Sequence, residues 1–226
     1  MSGGRRPRSF PTPGSGGVEL VPSSFFQRDP LRCARELVGT VLLWGGCAGI
    51  VVETEAYFAL DDEACHTFFR PSTRAFVERN PVGAAYIYLN YGVHWMLNVL
   101  VKDGEADGFV LIRALQPTEG IELMKRRRGS DEVRRLCSGP GKLTQALEIT
   151  NRDHERNLCA DPAHCFNFVA DGAIQVVADE RVGITKAAHR PWRFTLRGSS
   201  FVSRPVKRRM GRIGRMGHMS RIGPKA

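Results

Sequence analysis

Two glutamates and a tyrosine at alternate positions, Glu53, Glu55 and Tyr57 in the run I-V-V-E-T-E-A-Y at 50–57, are the residues of this chain best spaced for chemistry. In a strand, side chains two apart share a face, so both carboxylates and the phenol project together while Val52, Thr54 and Ala56 turn toward a core. His66 follows nine residues after Tyr57, and A-Y-I-Y-L-N-Y-G at 85–92 sets Tyr86 and Tyr88 on one face of a second strand. A carboxylate beside aromatic faces that grip a flat, uncharged or cationic ring is what chemistry on an extruded nucleobase requires. A blander role competes, because strand tyrosines commonly pack half-buried and an isolated strand glutamate is commonly solvated.

The flanking pattern says which elements must hold these groups. D-P-L-R-C-A-R-E-L-V-G at 29–39 reads as a helix, capped by Asp29, with Pro30 in its first turn and Gly39 as its stop. Val41–Trp44 and Gly49–Tyr57 read as antiparallel strands on either side of G-G-C-A, and 85–91 with 93–102 as strands hinged near Tyr91-Gly92. A strand is expected at 108–114, a helix at 117–128 ending in four cations as its dipole prefers, and a helix within 138–147. Late strands are expected at 173–178 and 192–197. Strands and helices intersperse without regular alternation. The expected fold is therefore a single mixed α/β (α+β) domain, with a largely antiparallel sheet, a protruding β-hairpin and surrounding helices. The domain is bounded at 18–203 by basic tails at 1–17 and 204–226 whose composition suits disorder.

The chain has 226 residues and a formal net charge of +10, from 33 Lys and Arg against 23 Asp and Glu. The eight cations from Arg204 to Lys225 and the three at Arg5, Arg6 and Arg8 carry this excess; without those eleven, 22 cations face 23 acids, a net of −1. Attraction to phosphate then rests on the tails and on clusters such as Lys125 to Arg128 and Arg134 with Arg135. The six cysteines lack a short-spaced framework, and neither a signal peptide nor a membrane-length apolar run is present, which implies reduced thiols in a cytoplasmic protein. His154, Cys159, His164 and Cys165 lack the C-x-x-C anchor of a zinc site, and the single E-x-x-H at Glu63 and His66 lacks partners.

Several motifs recur in a telling order: A-R-E-L-V-G-T at 34–40, E-T-E-A-Y at 53–57, D-E-A-C-H at 62–66 and Y-I-Y-L-N-Y-G at 86–92. L-N-V at 97–99, L-I-R-A-L-Q-P at 111–117 and L-C-S-G-P-G-K-L at 136–143 complete the series. Over about residues 31–200 the chain resembles the alkyladenine (3-methyladenine) DNA glycosylases of the vertebrate and bacterial single-domain type. Spacing alone leaves Glu53 and Glu55 as rivals; the resemblance implies that Glu55 is the general base and electrostatic stabiliser, with Arg113 near the attacking water. It further implies that Tyr57, His66 and Tyr88 enclose the flipped base, that the backbone from Ala64 to His66 reads the base edge, and that Asn98 obstructs the amino group of guanine. By the same resemblance Tyr91 fills the gap left in the duplex, flanked by Leu89, Val93 and His94, while Arg128 and the segment Ser138, Gly139 to Lys142 meet phosphates.

The implied protein is a monomeric enzyme without metal or cofactor that acts on double-stranded DNA bearing a damaged purine, in the cytoplasm on the nucleoid, or in the nucleus of a eukaryote. It has no association with membrane. Two other readings stay open: a non-catalytic module that stacks unpaired bases, and a helix-hairpin-helix repair protein suggested by S-G-P-G-K. The strand-rich stretch from 40 to 115 speaks against the latter. Residues 67–82 depart from the family pattern, which bears on the range of bases accepted.

Overall fold

The structure, a computed structural model, describes residues 19–169 and 174–206. Of the expected basic tails, all but 204–206 lie outside these residues.

Helix α1 (Pro30–Leu37) forms as its sequence dictates: the Asp29 carboxylate accepts the Arg32 amide at 3.0 Å, and Cys33, Ala34 and Leu37 bury one stripe. Strand β2 (Val41–Trp44) turns into β3 (Cys47–Phe58) through Gly45 and Gly46 alone, both at positive φ, and the register pairs Trp44 with Cys47. The turn is thus two residues, the form whose backbone twist suits a hairpin, and β3 starts two residues earlier than the expected Gly49.

Strands β4 (Ala85–Asn90) and β5 (His94–Val101) form the second hairpin, and β6 (Gly108–Glu119) pairs with both β5 and β3. The segment 117–119, expected to open a helix, instead continues β6 beside Ala48 and Gly49. Helix α4 (Ile121–Arg128) begins only after Gly120, whose φ is +68° and whose place a Cβ would bring within 2.7 Å of the Gly46 carbonyl oxygen and the Cys47 sulfur. That tertiary contact against the first hairpin, invisible in a local pattern, fixes where strand yields to helix.

Around these lie α2 (His66–Phe69), α3 (Pro71–Arg79), α5 (Val133–Leu136), α6 (Pro140–Leu147), and strands β1 (Glu19–Leu20), β7 (His164–Phe168), β8 (Val176–Asp179) and β9 (Arg193–Leu196). Among the described residues nine strands form one sheet in the order β1-β7-β2-β3-β6-β5-β4, with β9 joining β3 and β8 joining β9; each of these pairs is antiparallel. The α+β expectation holds. Strands β1 and β7 and helices α2, α3 and α5 are not in the sequence reading: they are short, and α3 buries only Thr73, Phe76 and Val77. The sheet fold also removes the helix-hairpin-helix alternative, since S-G-P-G-K leads into a helix packed on a sheet.

The core lies between the sheet and α1, α4 and α6, with Leu37, Leu97, Ile112, Leu115, Met124 and Leu143 fully buried. Helix α6 meets the second hairpin closely: a Cβ on Gly141 would stand 2.7 Å from Cγ and 2.8 Å from Cβ of His94. Gly141→Ala is expected to lower the stability by about 1–3 kcal/mol through overpacking, read as a lower denaturant midpoint with an unchanged slope.

Candidate active site

Glu53 and Glu55 lie where β3 is paired on both edges, with β6 on one side and β9 on the other. Neither carboxylate reaches solvent. Glu53 is saturated: it accepts from Arg113 Nε at 3.0 Å, Arg193 Nε at 2.7 Å, and the amide and hydroxyl of Ser203 at 2.5 and 2.8 Å. Glu55 receives the Val182 amide on Oε1 at 2.6 Å, and the Tyr57 hydroxyl at 2.8 Å and Arg113 Nη1 at 3.2 Å on Oε2.

Burial raises both carboxyls, with opposite outcomes. At Glu53 the charges of Arg113 and Arg193 and the Ser203 amide outweigh it, so the group is held below its ordinary value. At Glu55 burial prevails over Arg113, Val182 and Tyr57, aided by repulsion from Glu53, and the group is raised. The two carboxylates on one strand face thus have affinities for protons pushed apart, Glu53 held as an anion and Glu55 drawing a proton more strongly.

A cavity of about 360 Å³ opens in front of this pair, within the range of small-molecule sites. Tyr57, Ala64, His66, Tyr88, Tyr91, Asn98 and Arg113 all line it. The His66 and Tyr88 rings stand 4.2 Å apart between centroids, and His66 Nδ1 shares a 3.1 Å hydrogen bond with the Tyr86 hydroxyl. Burial, helped by the Arg70 charge, lowers the His66 pKa to about 4, so its ring is neutral at physiological pH. Burial likewise raises the Tyr57 and Tyr88 phenols, which stay protonated. Asn98, paired with Tyr86 across the hairpin, donates to the Tyr86 carbonyl at 3.1 Å. The Ala64 amide is engaged by Asp62 at 3.2 Å, so its N–H already has a partner. Glu55 is not itself on the cavity wall: its carboxylate stands behind Tyr57 and Arg113, which are.

Beside the cavity the second hairpin ends in exposed apolar groups, Tyr91 at 90%, Val93 at 67% and Leu89 at 41% exposure, with His94 also exposed. Tyr91 adopts φ +49° before Gly92, so the tip turns tightly. The segment Ser138–Lys142 comes to the same side: Pro140 lines the cavity, Gly139 is buried, and Ser138 and Lys142 are half-buried. Arg128 lies farther along, its guanidinium held by the Gln145 side chain.

Several residues of the site carry no sequence signal of their own. Phe69, Met96, Phe109 and the loop Val182–Ile184 line the cavity, and Arg181, Arg193 and Ser203 hold its rear. They come from segments far apart in the chain; Phe69, Met96 and Phe109 gain a role by facing the cavity, and Arg181, Val182, Arg193 and Ser203 by pairing with Asp62, Glu55 and Glu53. His154 and His164 have other partners: His154 Nδ1 accepts the amide of Ile87 on β4 at 3.0 Å, and His164 pairs with Asp161 at 2.7 Å. Among the described residues no three metal-binding side chains gather, and no helix is long and apolar enough to cross a membrane.

Fold and site together define a class: a single-domain α+β protein with an aromatic cavity backed by a buried carboxylate–arginine network and flanked by an apolar hairpin tip. The family model described as "Methylpurine-DNA glycosylase (MPG)" matches residues 24–200. A protein from Rhodopseudomonas palustris named "Putative 3-methyladenine DNA glycosylase" is 45% identical over 203 residues, 88% of this chain and 97% of that relative. Relatives of the same name from Agrobacterium fabrum and Nitrobacter winogradskyi are each 45% identical over 184 residues, 81% of this chain and 92% and 87% of theirs. The chain belongs to the methylpurine-DNA glycosylase family. It is a DNA glycosylase for alkylated bases, a hydrolase of N-glycosyl bonds whose substrate is DNA.

The two carboxylates are expected to differ in how they couple stability to pH. Glu53, lowered from 4.5, contributes stability that is present above that pH and lost as the pH falls through its folded value. Glu55, raised from 4.5, contributes stability that is present below that pH and lost as the pH rises through its folded value. Glu53→Gln should therefore cost about 3–5 kcal/mol near neutrality, the usual result of orphaning buried partners, and less in acid. Glu55→Gln should gain on the parent protein as pH rises from 4.5. Chemical denaturation across this range checks both; parallel pH curves for the two variants would contradict the assignment.

Proposed function

We propose that the protein excises alkylated or deaminated purines from duplex DNA by flipping the damaged nucleotide into the cavity and hydrolysing its N-glycosidic bond, leaving an abasic site. The observation that carries this reading is the Glu55 carboxylate, raised in proton affinity by burial and held by Tyr57, Arg113 and Val182 behind an aromatic cavity. Breaking the bond builds positive charge on the sugar. A buried anion stabilises that charge more than a solvated one does, and a carboxylate of raised affinity accepts a proton from the attacking water. Because Glu55 stands behind the wall, water reaches it only when the Tyr57 hydroxyl or the Val182–Gly183 loop gives way. This reading therefore includes a small opening when DNA binds.

The aromatic faces of Tyr57, Tyr88 and neutral His66 take the base, and an alkylated, electron-poor ring gains a cation-to-π attraction of about 1–2 kcal/mol when desolvated. Asn98 faces the base edge and disfavours the amino group of guanine. Tyr91, with Leu89, Val93 and His94 beside it, occupies the space the nucleotide leaves, its ring restacking the exposed bases. The segment Ser138–Gly139, with Lys142 and Arg128, lies against phosphates. The catalytic unit is taken as 18–203, acting as a monomer in the cytoplasm and without a metal.

Glu55→Gln should reduce release of free base from methylated DNA by at least about 100-fold, the usual scale for a lost general base, while DNA affinity stays near that of the parent. Retention of more than a few per cent of the rate sinks the assignment. Tyr91→Ala should weaken excision far more on paired than on single-stranded substrate; equal loss on both removes the wedge role.

A further inference from the structure

The geometry points to the buried pair Asp62–Arg181 as a positioning pair that holds the Val182 amide on Glu55. The Arg181 guanidinium grips both Asp62 oxygens, Nη1 to Oδ2 at 2.6 Å and Nη2 to Oδ1 at 2.8 Å, and neither side chain reaches solvent. Such a bidentate fork fixes orientation as well as distance. Nη1 also donates to the Ala56 carbonyl at 3.0 Å, in the strand that carries Glu55 and Tyr57. The guanidinium lies 4.5 Å from the Tyr57 ring centroid and 5.0 Å from that of Trp192.

Asp62 in turn accepts the Phe58 amide on Oδ2 and the Ala64 amide on Oδ1, each at 3.2 Å. One carboxylate thus ties together the end of β3, the turn from Ala64 to His66 and the loop that follows Arg181. The next residue in that loop, Val182, gives its N–H to Glu55 Oε1 at 2.6 Å. Val182, Gly183 and Ile184 then form one wall of the cavity. Arg181 touches neither cavity nor Glu55, so it acts through Val182 and Tyr57. Its loss frees the loop and withdraws the one hydrogen bond that Oε1 receives among the described residues.

This inference rests on Glu55 as the base and predicts what loosening the pair does to it. The charged and titratable groups facing Glu55 are Glu53 and Tyr57 on its own strand, Tyr88 on β4, Arg113 on β6, and Arg193 opposite it on β9, with the Val182 amide closing the remaining side. Without that amide, a donor to the ionised form is gone and the group is pushed further up.

Asp62→Asn and Arg181→Lys keep volume, and in the second case charge, while breaking the bidentate fork. Both should slow single-turnover release of base from methylated duplex about 10- to 100-fold at pH 7, as misplacement of a reacting group does. The acid limb of the rate should also move to higher pH than in the parent, and DNA affinity should change little. A merely destabilising change would lower the melting temperature and leave that limb in place, which overturns the inference. Failure of both variants to fold also overturns it, since the pair would then be structural. If the parent chain releases no methylated base, or Glu55→Gln keeps the parent rate, the glycosylase reading itself fails, and that outcome is distinct from either of the others.

Discussion

The structure depends on keeping two carboxylates dry on one strand. Burying an anion is costly unless its partners are supplied in full, and β3 meets that demand by being paired on both edges at Glu53–Glu55. Backbone positions cannot shift there without breaking ladders to β6 and β9. The guanidinium of Arg113 then joins the two acids, binding Glu53 through Nε and Glu55 through Nη1. A point charge would not do this; the planar fork does, because it presents donors in fixed directions.

The difference in proton affinity between the acids follows from how many donors each receives. Glu53 is met by two arginines and by Ser203, so its charge is locked. Glu55 has one arginine, one phenol and one amide, and burial dominates. Four donors and two guanidinium charges hold the Glu53 anion more firmly than three donors and one guanidinium hold that of Glu55. Tyr57 and Arg113 connect that second residue to the cavity, since both touch Glu55 and both line it.

Much of the aromatic wall was legible early. Period-two spacing placed Tyr57 beside Glu55 and Tyr86 beside Tyr88, and the structure keeps those faces, because alternation survives wherever a strand stays extended. Asp29 as cap and the hinge at Tyr91-Gly92 were equally local. The segment 117–119 was not: its proline and T-E-G suggested a helix start, but pairing with Ala48 and Gly49 keeps it in β6 until Gly120. His154 and His164 drew no role from the local pattern; in space His154 accepts the amide of Ile87, 67 residues away on β4, and His164 pairs with nearby Asp161.

The sequence by itself determined the kind of chemistry and where the antiparallel hairpins run, because residue type and alternation are local properties. It also carried the family likeness. It left Glu53 and Glu55 as physical equals, since both sit on one strand face two residues apart with the same side chain. Tertiary structure set their proton affinities apart by bringing Arg193 and Ser203 to one, and Tyr57 and the Val182 amide to the other. Those partners lie more than 120 residues away except for Tyr57, and the proton affinity of a buried acid is set by what surrounds it in space.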